Sequence, residues 1–415
     1  MVVRDDKPIP RKVTQMDYST LALSLEGGED GFVISLNSLY ARWCGLTDAR
    51  HAKGKRYPLA LVLVGMVVAK LAGADKPQAI AEWVAERAAL FVESFELRLP
   101  TMPSHHTYRR VMRQVIVVSE LAQTAQAYLA ELPQTGVPVQ ICLDGKTLRG
   151  TIASGESRGL HLLAAYWPGS GLVLCQVEVE PSTNEIGAAP LVLKALDLKG
   201  KIITGDAIFA QRELSLLIGQ ADGDYVWTVK DNQPRLRADI AKLFEPDTSV
   251  VKGFSAGPTD YQTVQTINKG HGRIETRTLT VTSQLQETSD WPYLAQVFRL
   301  ERSTELLAPG TQRGETVYGM TSLTAQQASP ARLLALVRRH WSVENELHYR
   351  RDVTFQEDAT RLKAWNAAQV LAIINNLVLA LLVHVGPGTV PHARRHYAAH
   401  PDEALRLVLT APGLS

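Results

Sequence analysis

VQICLDGKTLRG at Val139–Gly150 and KIITGDAIFAQ at Lys201–Gln211 share one plan: a short apolar, β-prone run delivers an aspartate, Asp144 or Asp206. Runs of this kind, bounded by turn formers, read as buried strands. Two more lie between them, GLHLLAAYW at Gly159–Trp167 and GLVLCQVEVE at Gly171–Glu180, followed by a helix over about Ala188–Leu196. Beyond Asp206 come a helix, QRELSLLIGQ, and a strand, DYVWTVK. Strands alternating with helices at this pitch predict an α/β sheet with mixed strand directions. Asp144 is expected to end the first strand and Asp206 a later one, and open α/β sheets place ligands at such ends.

Working outward, residues 1–45 read as an N-terminal arm and 46–132 as a helical region. Its most apolar stretch, Pro58–Gly73, is too short to span a bilayer and contains Lys70, so a buried core helix is expected. In SHHTYRRVMRQ, Ser104 is placed to cap a helix, and Arg109, Arg110 and Arg113 follow within its first turns. Those arginines suit DNA phosphates or a solvated face. Pro133–Pro138 reads as a linker, 138–245 as the first part of the core, and 246–325 as a β-rich insertion with period-two alternation in TRTLTVT and QVFRLERS. Helix resumes over 326–385 with a break, and 386–415 forms a tail, basic at Arg394 and Arg395, that closes with a short helix.

Composition excludes little. The apolar fraction of 45% and charged fraction of 21% are ordinary for a globular protein, and a net charge of +2 announces no nucleic-acid partner. The three cysteines contain no CxxC pair, which fits a reducing cytoplasm and no zinc finger. The first twenty residues are polar and carry Asp5 and Asp6, so no signal peptide is expected.

A third acid, Glu344, sits in the helical string RRHWSVENELHYRRD. At α-helical pitch, His340, Glu344, His348 and Arg351 share one narrow stripe, while Glu346 points away. Two strand-end aspartates and one helical glutamate can converge on a pair of divalent ions of the kind that cut phosphodiesters. Each aspartate alone is as readily a turn former. The flanking imidazoles also admit zinc, but carboxylate ligands suit Mg²⁺ or Mn²⁺ better. Lys146 and Arg149, just after Asp144, favour an ionised carboxylate and can grip phosphate. Lys230, Asn232 and Gln233 in VKDNQPRL suit a phosphate, a base edge or an ordinary turn. His271, Arg273 and Arg277 alternate with Glu275 on one strand face, which can follow a DNA backbone or simply face solvent.

Together the ordered strings resemble one family. LPTMPSHHTYRRVMR, LDGKTLRG, NEIGAAPLVLKALDLKGKIITGDAIFAQ, DYVWTVKDNQPRL, HGRIETR and RRHWSVENELHYRRDVTFQEDATR are similar to the H-repeat-associated (ISAs-type) insertion-sequence transposases of the DDE superfamily. The resemblance covers roughly residues 50–400. It departs from the family at PSTNEI, where Thr183 precedes Asn184, and at Tyr349, where the family has Trp. It implies an RNase H-like catalytic core with a β-rich insertion and an N-terminal helical domain. Asp144, Asp206 and Glu344 would form a triad holding two Mg²⁺ (or Mn²⁺) ions, with His340 and Arg351 helping Lys146 and Arg149 to position phosphates. The implied activity is cleavage at transposon ends and strand transfer into target DNA, by a homodimer in the bacterial cytoplasm at the nucleoid and with no membrane partner. A metal-dependent nuclease that does not join, or a domesticated DNA-binding protein, are the rival readings.

Overall fold

The structure, a computed structural model, describes residues 34–98, 100–132, 139–245, 260–270, 272–306 and 312–410. Most of the expected arm, the linker at Pro133–Pro138, and His271 lie outside the described residues.

One sheet organises the molecule. Strands β1 (Gln140–Leu148), β2 (Leu160–Trp167) and β3 (Leu172–Glu178) form an antiparallel meander. Strands β4 (Ile202–Gly205) and β5 (Asp224–Val229) then add in parallel on the other side of β1. The crossovers carry helices α7 (Glu185–Lys194) and α8 (Arg212–Gln220). This β3-β2-β1-β4-β5 arrangement is an RNase H-like core. The β-rich stretch does not form a separate sheet. Its strands β6 (Gln262–Gly270), β7 (Arg273–Thr282), β8 (Gln296–Leu306) and β9 (Gln312–Thr321) continue the same one, because β9 pairs antiparallel with β5. The result is a nine-stranded sheet.

Alternation along the strands divides its two faces. Ile141, Leu143, Ile203, Tyr225 and Trp227 enter one core beneath α7 and α8. On the other face, Ile202 and Val226 pack with Leu333, Leu336 and Val337 of α10 (Pro330–His340). Ala164, Tyr166 and Val173 at the β2–β3 end of that face join a helical layer. This layer draws on α1 (Leu39–Cys44), α2 (Leu59–Leu71), α3 (Pro77–Glu86), α4 (Ala88–Ser94), α5 (His105–Gln114) and α6 (Val118–Ala130), and on α11 (Trp365–His384), α12 (Val390–Ala399) and α13 (Pro401–Leu409) from the far end of the chain. Strand β5 leads to α9 (Pro234–Leu243), which packs near β8 and β9.

α2 is buried on every side, as its unbroken apolar string requires. Each large side chain so buried contributes about 1.5–3 kcal/mol. Its Lys70 finds the Asp75 carboxylate at 3.2 Å and lies 5.4 Å from the centre of the Phe355 ring. Burial pulls the Lys70 amine below its ordinary pKa, and the Asp75 charge opposes that shift. Arg394 binds the other Asp75 oxygen at 2.7 Å, so this tail arginine ties α12 to the turn between α2 and α3 rather than being a free cation. α11 is the one helix, among the described residues, long and apolar enough to cross a membrane, and most of it is buried inside the protein.

Several sequence expectations shift. β1 runs on past Asp144 through GKTL, because those residues pair with Leu160–Leu163 of β2. α7 begins earlier than expected, since the Asn184 side chain caps it through the Gly187 N–H. Ser104 does precede α5, but its hydroxyl makes no capping bond. The stretch after α10 is no continuous α-helix. Glu344–His348 and Arg350–Thr354 wind with i→i+5 hydrogen bonds, in which the Tyr349 N–H donates to Glu344 O and the Phe355 N–H to Arg350 O.

Candidate active site

Parallel pairing of β1 with β4 sets Gln140 beside Ile202 and Cys142 beside Thr204. Asp144 follows two residues further along β1, and Asp206 stands just past the end of β4, so the two acids come from adjacent strands. Beneath them the face is polar and closed. Gln140 donates to Thr204 Oγ1 at 3.1 Å and to Leu336 O at 2.9 Å, and His340 Nδ1 lies 3.2 Å from Thr204 Oγ1.

Asp206 leaves β4 and caps a short turn, accepting the Ile208 N–H at 3.0 Å. Two amides from the loop after β5 hold that turn: Asn232 donates to Ala207 O at 2.5 Å and Gln233 to Ala210 O at 3.0 Å. Burial pushes the Asp206 carboxyl above the usual carboxylate range; the Ile208 N–H opposes this, the charges of Glu185 and Asp144 add to it, and Lys230 opposes it again.

Asp144 is held from the helical side. His348 Nε2 lies 2.7 Å from its Oδ2, while its Oδ1 accepts the Gly145 N–H at 3.0 Å. His348 is buried, and its Nδ1 has no hydrogen-bond partner among the described residues. The Glu344 carboxylate is exposed, and one ligand atom from each of Asp144, Glu344 and His348 lies within 4.8 Å of the others. Asp206 stands outside this tight group, though near enough to Asp144 for their charges to act on each other. The widened turns explain the clustering: i→i+5 winding is rare, and it recurs at functional sites. Here it brings Glu344 and His348 to Asp144 and sends Glu346 to the β2–β3 turn, where it accepts Tyr166 OH at 2.9 Å and Gly169 N–H at 2.8 Å.

The same winding corrects the single stripe. Arg351 is 1% exposed and donates to Glu357 Oε2 at 2.9 Å, within a buried network that includes Gln176 and Asn375. No DNA can reach it. His340 is buried against Thr204; burial lowers its pKa, Asp144 opposing, and it too is closed off from DNA. Lys146 is spent on Asp352 at 2.6 Å, which ties β1 to the widened helix. Asn232 and Gln233 are likewise committed, to the Asp206 turn. Lys230 is exposed and near enough to Asp206 for its charge to act on it, while Arg149 is exposed at the far end of β1, where its backbone N–H donates to Asp358 Oδ1 at 2.9 Å. Arg109, Arg110 and Arg113 are exposed on α5, whose Tyr108, Val111 and Met112 face the core, and none makes a salt bridge among the described residues. On β7, Arg273 and Arg277 each hold Glu275 at 2.6 Å.

His348, read in the sequence as one of two imidazoles flanking Glu344, is here the partner of Asp144. One residue at the site's edge had no role in the sequence reading. Glu185, in the NEI string, approaches Asp206 from α7 and lies 2.7 Å from His161 Nε2. Nothing local in the sequence foretells that contact.

Comparisons with known proteins identify the family. The model described as "Transposase DDE domain" matches residues 135–381, more than half of the chain, and one described as "DDE_Tnp_1-associated" matches residues 41–129. "Putative transposase YncI" of Escherichia coli O157:H7 is 28% identical over 359 residues, covering 84% of this chain and 88% of the relative. "H repeat-associated putative transposase YhhI" of Escherichia coli (strain K12) is 28% identical over 348 residues, covering 82% and 88%. A solved structure, "Cryo-EM structure of piggyBac transposase synaptic complex with hairpin DNA (SNHP)", aligns with TM-score 0.43 and 11% identity over 86% of this chain and 73% of its own. The chain belongs to the transposase DDE domain family.

Proposed function

We propose that the protein cleaves DNA phosphodiesters at the ends of its own mobile element and transfers the freed ends into target DNA, using two Mg²⁺ or Mn²⁺ ions. The observation that carries this reading is the grouping of carboxylates: Glu344 is brought to Asp144 by the widened helix, and Asp206 stands just past the end of the neighbouring strand β4, near enough to Asp144 for their charges to interact. The donor set fits hard divalent cations. Asp144 and the exposed Glu344 offer oxygens facing one another, and Asp206 adds a third carboxylate. His348 fits as the group that orients Asp144, as imidazole–carboxylate pairs do around bound metals.

Asp144, Asp206 and Glu344 would hold the cations. Bound divalent ions lower the pKa of an attacking water and stabilise the leaving oxygen. The chain's own residues do the rest. His348 keeps one Asp144 oxygen fixed, and the exposed Glu344 carboxylate is left free to face a cation. The Asn232 and Gln233 amides hold Asp206 at the strand end. Lys230, exposed beside Asp206, would meet a phosphate at the acids, and the exposed Arg149 would meet one further along the DNA. End recognition falls to Arg109, Arg110 and Arg113 in the helical region 46–132, with Arg273 and Arg277 on the sheet extension tracking the backbone. Two ends must be joined, so the working form is a homodimer on terminal inverted repeats, in the cytoplasm at the nucleoid.

The test is incubation of the purified protein with its own flanking DNA and Mg²⁺, with the cut strands mapped. Site-specific nicks leaving 3′-hydroxyl ends, lost in Asp144→Asn, Asp206→Asn and Glu344→Gln alike, are expected. Wild-type cutting by Asp206→Asn would defeat the assignment.

A further inference from the structure

The triad of Asp144, Asp206 and Glu344 leaves one charged group beside Asp206 without a task. Glu185 is the first residue of α7, and its carboxylate reaches back over β1. The approach is close. A Cβ built at Gly145 would fall 2.1 Å from Glu185 Oε1 and 2.8 Å from His161 Nε2. The strand therefore carries no side chain at the residue after Asp144, and a carboxylate from the opposite layer takes that space. It is also oriented: His161 Nε2 meets Glu185 Oε1 at 2.7 Å, and Thr147 Oγ1 meets His161 Nδ1 at 2.7 Å. That chain engages one carboxylate oxygen through an imidazole whose ring is fixed from both sides.

We propose that Glu185 is a fourth cation-facing carboxylate of the centre, on the Asp206 side, with His161 and Thr147 as its positioning residues. The inference rests on the two-ion reading above and deepens it. Two His–carboxylate pairs, each at 2.7 Å, flank β1 at Asp144 and Gly145: Asp144–His348 on one face of the sheet and Glu185–His161 on the other. Asp144, Glu344 and His348 make one cluster without Asp206, whereas the Glu185 carboxylate occupies the space over Gly145, the residue next to Asp144. Glu185 also lines an open cleft of about 330 Å³ shared with Thr147, Arg158, His161, Asn184 and Trp365, so the group faces space that DNA and cations can enter. A negative charge in a helix's first turn gains a little from the helix dipole. That structural role alone, however, predicts no sensitivity to metal.

The experiment reads Mn²⁺ binding to the full chain by electron paramagnetic resonance and calorimetry, alongside circular dichroism and thermal melting with and without Mn²⁺. Glu185→Gln keeps the shape and a hydrogen bond to His161. It is expected to melt like the wild type in chelator, yet to weaken one Mn²⁺ site by about tenfold or more, the scale typical of losing a group that supports a metal. Gly145→Ala, which pushes the carboxylate away, is expected to weaken the same site, and Glu185→Asp to recover part of the loss. Wild-type Mn²⁺ affinity and stoichiometry in Glu185→Gln overturn the inference while leaving the two-ion reading standing. A wild-type chain that binds no Mn²⁺ overturns both.

Discussion

The two halves of the sheet are built by different rules. Strands β1, β4 and β5 are buried over the first half of β1 and nearly all of β4 and β5, with apolar residues dominating those stretches. Strands β6–β9 run long and antiparallel, and β6 at the edge is largely exposed, with Thr, Gln, Asn and Lys along it. Polar side chains and a lysine on such an edge also discourage pairing with another chain. The first half can hold carboxylates in fixed positions because its strand ends are pinned by cores on both sides. The second half offers a long polar face with cations at Arg273 and Arg277 and is suited to contact along a polymer. Rigidity sits with the acids and surface with the cations.

The largest effect expected from breaking this division is on chemistry. Asp144→Asn should reduce DNA cleavage by on the order of 10³-fold or more, since several kcal/mol of charge stabilisation disappear at the reacting phosphate. Binding to the same DNA, measured by fluorescence anisotropy, should hardly change. Loss of binding together with cleavage would mean that the acid supports structure.

Next comes Arg351→Ala. Removing one member of a buried ion pair leaves Glu357 charged and uncompensated, at a cost of about 3–5 kcal/mol. Urea unfolding reads this directly as a lower midpoint with an unchanged slope. An Arg351 that served DNA instead would leave stability alone.

Smaller again is the double change Arg273→Glu and Arg277→Glu on the sheet extension. If these side chains follow the backbone, the slope of log binding constant against log salt should fall by about 0.9 for each phosphate that is no longer neutralised. Cleavage of bound DNA should persist. An unchanged slope would assign recognition to α5 and leave the extension as scaffold.

The legibility of the sequence follows the same division. The α/β core could be read because its strands are short, mostly apolar runs, two of which lead to Asp144 and Asp206, a pattern that survives without tertiary context. The polar alternation of TRTLTVT marked the extension as β, but not its attachment to the core sheet, since the β5–β9 pairing joins segments distant in the chain. At the site, the positions of Asp144 and Asp206 follow from strand register. The behaviour of the Glu344 segment does not. A pattern with α-helical pitch put Arg351 on the same stripe, whereas the i→i+5 turns bury it against Glu357. Lys146, Asn232 and Gln233 read as free polar groups because their partners, Asp352 and the carbonyls of Ala207 and Ala210, lie in other elements.

The smallest expected effect concerns what the acids do to one another when no cation is present. Burial, with Glu185 and Asp144 adding, raises the Asp206 carboxyl pKa above its unfolded value. Between the unfolded and folded pKa values the folded chain therefore binds more protons than the unfolded chain, and stability falls as pH rises through that window. Above both values the ionised Asp206 imposes a constant cost. Asp206→Asn should accordingly melt slightly higher than the wild type in chelator at neutral pH, and the advantage should vanish once pH drops below the ordinary carboxylate range. Added Mg²⁺ should reverse the order by stabilising the wild type alone, since ligand binding to the folded state raises apparent stability. A variant that melts lower than the wild type at neutral pH in chelator would mean that the Ile208 capping bond outweighs the repulsion, and Asp206 would then be a structural cap first.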